Sequence, residues 1–226
     1  MTGVRKILYL HGLGAGPGSR KAHLIGKHFA TLGYEVALPS ISLPSLEKLS
    51  PKTAVSFVSE VIKVHREGEF VLIGSSFGAF IASHALRLLS AEERGRVSKC
   101  VLIAPLFDPW DTRGGLLTAD RERVWREKGE FPIMDLGKGA EVPVHYRFVE
   151  ELRELCASSI SYAVSTLLVH GARDEVVPVS QSRQFASSRP WVKLHIFEDD
   201  HQLLGDPAAL LKVMEGFILS ESSNAR

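Results

Sequence analysis

The chain has 226 residues, 45% of them apolar and 23% charged, which excludes a disordered or collagen-like polymer and leaves ample apolar material for one core. Lys+Arg number 27 against Asp+Glu 26, so the net charge of +1 implies no bulk attraction to nucleic acid or an anionic membrane. Two cysteines cannot build a disulfide framework: Cys100 sits in the apolar run CVLIAPL and reads as a buried thiol, and Cys156 falls in a helix-like stretch. MTGVRK runs into ILYL without an h-region, and no apolar stretch approaches the roughly 18 residues a membrane span needs. A cytoplasmic location is the expectation.

Short apolar runs alternate with helical patterns. Strands are expected at Val4–Leu10, Glu35–Leu38, Phe70–Gly74, Cys100–Ala104, Thr166–His170 and Val192–Phe197. Most are continuous apolar runs, the pattern of strands covered on both faces. One helix begins at Ser50 as N-cap with Pro51 in its first turn, and carries Val55, Val58 and Ile62 along one stripe. Others are expected near Phe77–Leu89, Ser180–Ser187 and Pro207–Leu219. Alternation of this kind predicts a doubly wound α/β domain with a parallel sheet and right-handed crossovers. Between Phe107 and about Ser159 the rhythm breaks. That stretch offers no strand candidate but much charge, glycine-bearing turns and the aromatics Trp110, Trp125, Phe131, Tyr146 and Phe148. It reads as a helical, cap-like insertion within a single domain spanning 1–226. Only the terminal SESSNAR looks like a loose tail.

The third strand ends in Gly74-Ser75-Ser76-Phe77-Gly78 and passes directly into a helix. This is G-x-S-x-G in a strand–turn–helix context, where glycines at both flanks let the chain turn sharply enough to raise the Ser76 hydroxyl above the sheet. A serine needs a base, and His201, in the loop after the last strand, would share that sheet edge. His28, His65 and His84 lie in helical patterns as surface or groove residues; His195 is mid-strand and His145 is in the insertion. A carboxylate should orient the imidazole, and Asp174 follows the strand Thr166–His170, with Glu175, Asp199 and Asp200 as competitors. An oxyanion would be met by the backbone N–H of Phe77 and by one from the loop after the first strand. Leu13 is the first choice there, and Gly12 and Gly14 are alternatives.

These residues resemble an α/β-hydrolase. The strand ending in His11-Gly12, the turn Gly74–Gly78, the block His170-Gly171…Asp174…Val177-Pro178 and the terminal Asp200-His201 follow the superfamily's order along nearly the whole chain. The nearest likeness is to small single-domain esterases and acyl-thioesterases, including bacterial esterases that open with Y-L-H-G and protein depalmitoylases. The resemblance implies hydrolysis of small carboxylic esters or thioesters, with an apolar acyl group and no cofactor. The superfamily's first β-hairpin is not expected here, and a six-stranded, all-parallel sheet ordered 2-1-3-4-5-6 is. Trp110, Trp125 and Phe131 are expected to roof the site and receive the acyl chain.

Rival readings fare less well. The glycines at 12, 14, 16 and 18 fit neither dinucleotide nor phosphate-loop spacing. His11, His170 and His201 have no metal-ligand spacing, so no metal is expected. A non-catalytic binding protein on the same fold remains open, as does hydrolysis of carbon–carbon or amide bonds.

Overall fold

The computed structural model describes residues 5–65 and 69–220. Val4 and residues 221–226 of the tail lie outside them. The chain runs β1 (Arg5–Leu10), α1 (Arg20–Thr31), β2 (Glu35–Ala37), α2 (Pro51–Val64), β3 (Glu69–Ser75), α3 (Phe77–Leu88), α4 (Ala91–Arg94) and β4 (Val97–Ile103). Then come α5 (Ala119–Lys128), β5 (Glu130–Asp135), β6 (Ala140–His145) and α6 (Arg147–Cys156). The last elements are β7 (Thr166–Gly171), α7 (Val179–Ser187), β8 (Val192–Phe197) and α8 (Pro207–Ile218).

Six strands form one sheet in the order β2-β1-β3-β4-β7-β8, with every ladder parallel. With the two insertion strands set aside, this is the expected 2-1-3-4-5-6. The four interior strands bury both faces, and their side chains divide between two cores with the period of two that a pleated strand dictates. Leu8, Leu10, Leu72, Leu102 and Leu168 join Val55, Val58 and Ile62 of α2 and Phe80 of α3 on one face. Ile7, Tyr9, Ile73, Val101 and Val169 join Ile25 and Phe29 of α1 and Leu210 and Met214 of α8 on the other. Each such apolar side chain contributes about 1.5–3 kcal/mol on burial. Edge strand β2 is only three residues long, and edge strand β8 alternates in exposure. Ser50 caps α2 as expected, accepting from the Thr53 amide at 3.1 Å while its hydroxyl donates to the buried Glu151 at 2.6 Å.

The stretch after Phe107 departs from the expected helical excursion, because β5 and β6 pair as an antiparallel hairpin between α5 and α6. Pro132 lies opposite Pro143 in its register. A two-stranded ribbon has only edges, so it tolerates prolines that a central strand could not. The hairpin reaches back to two loops: the Leu136 N–H donates to the Gly14 carbonyl after β1 at 2.8 Å, and Lys138 pairs with Glu47 after β2 at 2.7 Å. Trp125 is fully buried, stacked between Phe131 at 5.3 Å and Phe148 at 5.6 Å, and Phe148 in turn meets Phe77 at 5.6 Å. Among the described residues no helix is long and apolar enough to cross a membrane.

Candidate active site

Parallel strands all finish at one edge, and β3, β7 and β8 each deliver one of the three candidate side chains there. Ser76 occupies the junction of β3 and α3 with φ 54° and ψ −114°, a left-handed strained backbone for a residue with a Cβ. Its N–H is tied to the Ile103 carbonyl at 2.8 Å. The flanking glycines are required by sterics. A Cβ on Gly74 would stand 2.6 Å from Ala79 Cα, and one on Gly78 would stand 2.6 Å from the His11 carbonyl and collide with that of Leu10.

His201 Nε2 lies 3.1 Å from Ser76 Oγ, and its Nδ1 lies 2.7 Å from Asp174 Oδ2. A carboxylate only accepts, so Nδ1 carries the hydrogen and Nε2 is left as the acceptor facing the hydroxyl. The Asp174 side chain is fully buried and receives four N–H groups. Oδ1 takes the amides of Val176 at 2.9 Å and Val177 at 2.8 Å, and Oδ2 takes His201 and, at 3.1 Å, His170 Nε2. Burial pushes its pKa up, but hydrogen bonds from His170, His201 and Val177 and the His201 charge outweigh this and hold it below the usual carboxylate range. Of the competitors, Glu175 is exposed. Asp199 and Asp200 fold their own loop, accepting from the Asp200, Gly205 and Gln202 amides.

The loop after β1 approaches the same serine. A Cβ on Gly12 would sit 3.6 Å from Ser76 Cβ. Ala15 N–H closes a turn on the Gly12 carbonyl at 3.1 Å, with Gly14 at φ 68°, the third-position geometry of a type II turn. That turn leaves the Leu13 N–H free of its own hydrogen bond, and Phe77 N–H is a first-turn donor of α3 without an intrahelical partner.

Three buried polar residues support this arrangement and were not assigned such roles from sequence. His170 Nε2 faces two acceptors, Asp174 Oδ2 and the Val177 carbonyl at 2.9 Å, so it is protonated there and Nδ1 accepts from the Ser182 hydroxyl at 2.7 Å. His11 latches the β1 loop, donating from Nδ1 to the Gly12 carbonyl at 2.9 Å and accepting at Nε2 from Ile41 N–H at 3.1 Å. Lys21 donates to Ser75 Oγ at 3.2 Å from behind the turn. Burial pushes its ammonium down to about 8 against the pull of Asp174, Asp200 and Asp199. A histidine closing the apolar runs YLH and TLLVH was the visible signal for two of them.

The expected acyl pocket is corrected in part. Trp125 has no exposed surface and its Nε1 donates to the Val144 carbonyl at 2.7 Å, so it is core of the insertion and offers no free face to a substrate. Phe131 is half-buried against it, and Trp110 is half-buried with its Nε1 on Glu122 at 2.7 Å and Arg153 across its ring. His84, expected on the surface or in a groove, is buried. His28 pairs with Glu215 at 2.9 Å, and His65, His145 and His195 are exposed.

Comparison with known proteins gives the class: the chain has the α/β-hydrolase fold. The fold matches alpha/beta hydrolase domain-containing protein 10 from mouse with a TM-score of 0.72 and 21% identity, over 94% of this chain and 89% of that one. It matches Est1E from Butyrivibrio proteoclasticus, solved with ferulic acid bound, with a TM-score of 0.73 and 16% identity, over 95% and 88%. By family, the chain belongs to the Uncharacterised protein family (UPF0227), matched over residues 6–215. The mouse palmitoyl-protein thioesterase ABHD10, mitochondrial, is 28% identical over 123 residues, which are 53% of this chain and 40% of that protein. The match thus spans less than half the length of this curated relative.

Proposed function

We propose that the protein is a serine hydrolase that cleaves carboxylic esters or thioesters through an acyl-enzyme, with Ser76 as nucleophile, His201 as base and Asp174 orienting the imidazole. The observation that carries this is the continuous relay of Ser76 Oγ, His201 Nε2 at 3.1 Å and Nδ1 at 2.7 Å from Asp174. The relative named as a palmitoyl-protein thioesterase supports an acyl substrate.

As Ser76 Oγ attacks the acyl carbonyl, its proton passes to His201 Nε2. The Phe77 and Leu13 amides donate to the developing oxyanion. Collapse of the tetrahedral intermediate breaks the bond to the leaving oxygen or sulfur, which takes the proton back from the imidazolium. Water, deprotonated by the same imidazole, then attacks the acyl-serine; the carboxylic acid departs and Ser76 regains its proton. The chemistry needs no cofactor. The two free thiols, Cys100 and Cys156, suit the reducing cytoplasmic setting we assign to it.

A fluorophosphonate probe should label the parent and not Ser76→Ala, with both variants melting alike. Equal labelling of the two would overturn the assignment. Nitrophenyl esters and acyl-CoA thioesters of rising chain length then separate esterase from thioesterase.

A further inference from the structure

α3 carries more than the serine at its start. Phe77, Phe80 and His84 follow one helical face at i, i+3 and i+7. Phe77 stacks on Phe80 at 6.1 Å, and Phe80 lies 4.3 Å from the His84 ring. Eight residues past Ser76, His84 is about 12 Å further along the axis. Its side chain is 1% exposed, yet neither Nδ1 nor Nε2 has a partner among the described residues. The equally buried His11 and His170 have both nitrogens paired. A buried polar group left unpaired costs its full desolvation, so His84 calls for a partner that the described residues do not supply.

His84 is one of the residues around a cavity of about 380 Å³ between α3, the loop after β4, the segment after α6, and α7. That volume suits one small organic molecule. None of its lining residues belongs to the Ser76, Asp174 and His201 constellation. Phe107 and Phe185, parallel at 4.1 Å, supply an apolar wall. The buried polar groups around them are already committed. Gln181 accepts from the Phe107 and Asp108 amides and donates to the Asp108 carbonyl and Asp111, and Asp111 is held by two bonds from Arg113. Arg189 is spent on the carbonyls of Phe185 and Ile160. Arg87 Nε is also without a partner among the described residues but does not line the cavity. Burial, then the Arg87 charge, holds the His84 imidazole down to about 4, so near neutral pH it offers one N–H and one bare nitrogen. A hydroxyl matches either one, because it both donates and accepts. A carboxylate or an ammonium could bond only one of the two nitrogens and would bring its own cost of desolvation.

We infer that this cavity binds a small uncharged molecule with a hydroxyl and a compact apolar body, the hydroxyl on the His84 imidazole and the body against Phe107 and Phe185. Phenol and toluene share a ring and differ in hydroxyl against methyl, so the pair isolates the proposed contact. Calorimetric titration of the parent and of Ser76→Ala should show phenol binding about tenfold tighter than toluene, as one buried hydrogen bond allows. Because Ser76→Ala is included, the outcome is independent of whether the chain hydrolyses anything. His84→Leu should lose the preference. In ¹⁵N-histidine spectra of the parent, phenol should move the His84 ring nitrogens and not those of His201, a readout that stands even if His84→Leu fails to fold. Equal affinity for the two probes, a preference that survives in His84→Leu, shifts confined to His201, or no saturable binding would each overturn the proposal, the last meaning that the cavity holds water only.

Discussion

Replacing Asp174 with asparagine changes one oxygen to an NH₂, and the surroundings of that carboxylate decide the consequence. Two backbone amides, Val176 and Val177, donate to Oδ1, and two imidazoles, His201 and His170, donate to Oδ2. Asparagine can present an oxygen to only one pair. Backbone amides cannot change tautomer, whereas an imidazole can, so the oxygen turns to Val176 and Val177 and the NH₂ faces the rings. His201 must then accept at Nδ1, which puts its hydrogen on Nε2, the nitrogen 3.1 Å from Ser76 Oγ. The serine loses its base although every heavy atom stays in place. A wrong-tautomer histidine costs about 10⁴ in kcat. The loss of charge-assisted bonds costs stability only about 1–3 kcal/mol, since His170 keeps the Val177 carbonyl. Steady-state hydrolysis of a nitrophenyl ester, with a urea melt beside it, reads both. An Asp174→Asn enzyme within about tenfold of the parent would refute the tautomer argument, whatever its stability.

Acid should destabilise the fold in two steps. The folded His84 pKa of about 4 lies below its ordinary 6.5, so the unfolded chain binds the extra proton between them and stability falls as pH drops through that window. At about 1.4 kcal/mol per pKa unit this amounts to roughly 3 kcal/mol, and His84→Leu should flatten the slope in urea melts at stepped pH. Asp174, with its folded pKa depressed, adds stability above about pH 3.9 that is lost below it, so the parent should weaken further there and Asp174→Asn should not. Gly78→Ala drives a Cβ into the Leu10 and His11 carbonyls and should cost about 3 kcal/mol or prevent folding, whereas Gly16→Ala, with nothing within 4 Å, should melt like the parent. Trp125→Phe should cost about 2–4 kcal/mol, from the orphaned Val144 carbonyl and the vacated volume, and leave KM unchanged, a split that a substrate-binding role would reverse.

How an element is buried decided whether its sequence betrayed it. Interior strands of a parallel sheet are covered on both faces, so ILYL, FVLIG, CVLI and TLLV stand out as uninterrupted apolar runs, and right-handed crossovers then limit their order. The hairpin left no such mark. Its strands EFPIMD and AEVPVH alternate in exposure, mix charge with proline, and pair only with each other. The convergence of Ser76, Asp174 and His201 was readable because each comes after a strand visible in the sequence, and parallel strands end together. The pairing of His170 with Asp174 was not, since it depends on how the loop after β7 folds back on its own strand.

The aromatics of the insertion show why residue type alone misassigns a site. A segment of some fifty residues lying outside the main sheet must bury apolar surface of its own, and Trp125 with Phe148 is the largest it has. Once they are spent on that core, the insertion acts on the site through position. Through Phe148 it packs on Phe77, the residue after the nucleophile, and through Leu136 and Lys138 it holds Gly14 and Glu47. Gly14 sits at φ 68° where any Cβ would strike the Met134 carbonyl, so hairpin and turn fit only as a pair. The two amides proposed to meet the oxyanion therefore lie on segments that the insertion braces from both sides. An excursion built this way is part of the site's framework, and loosening it should lower kcat before it alters which acyl group is accepted.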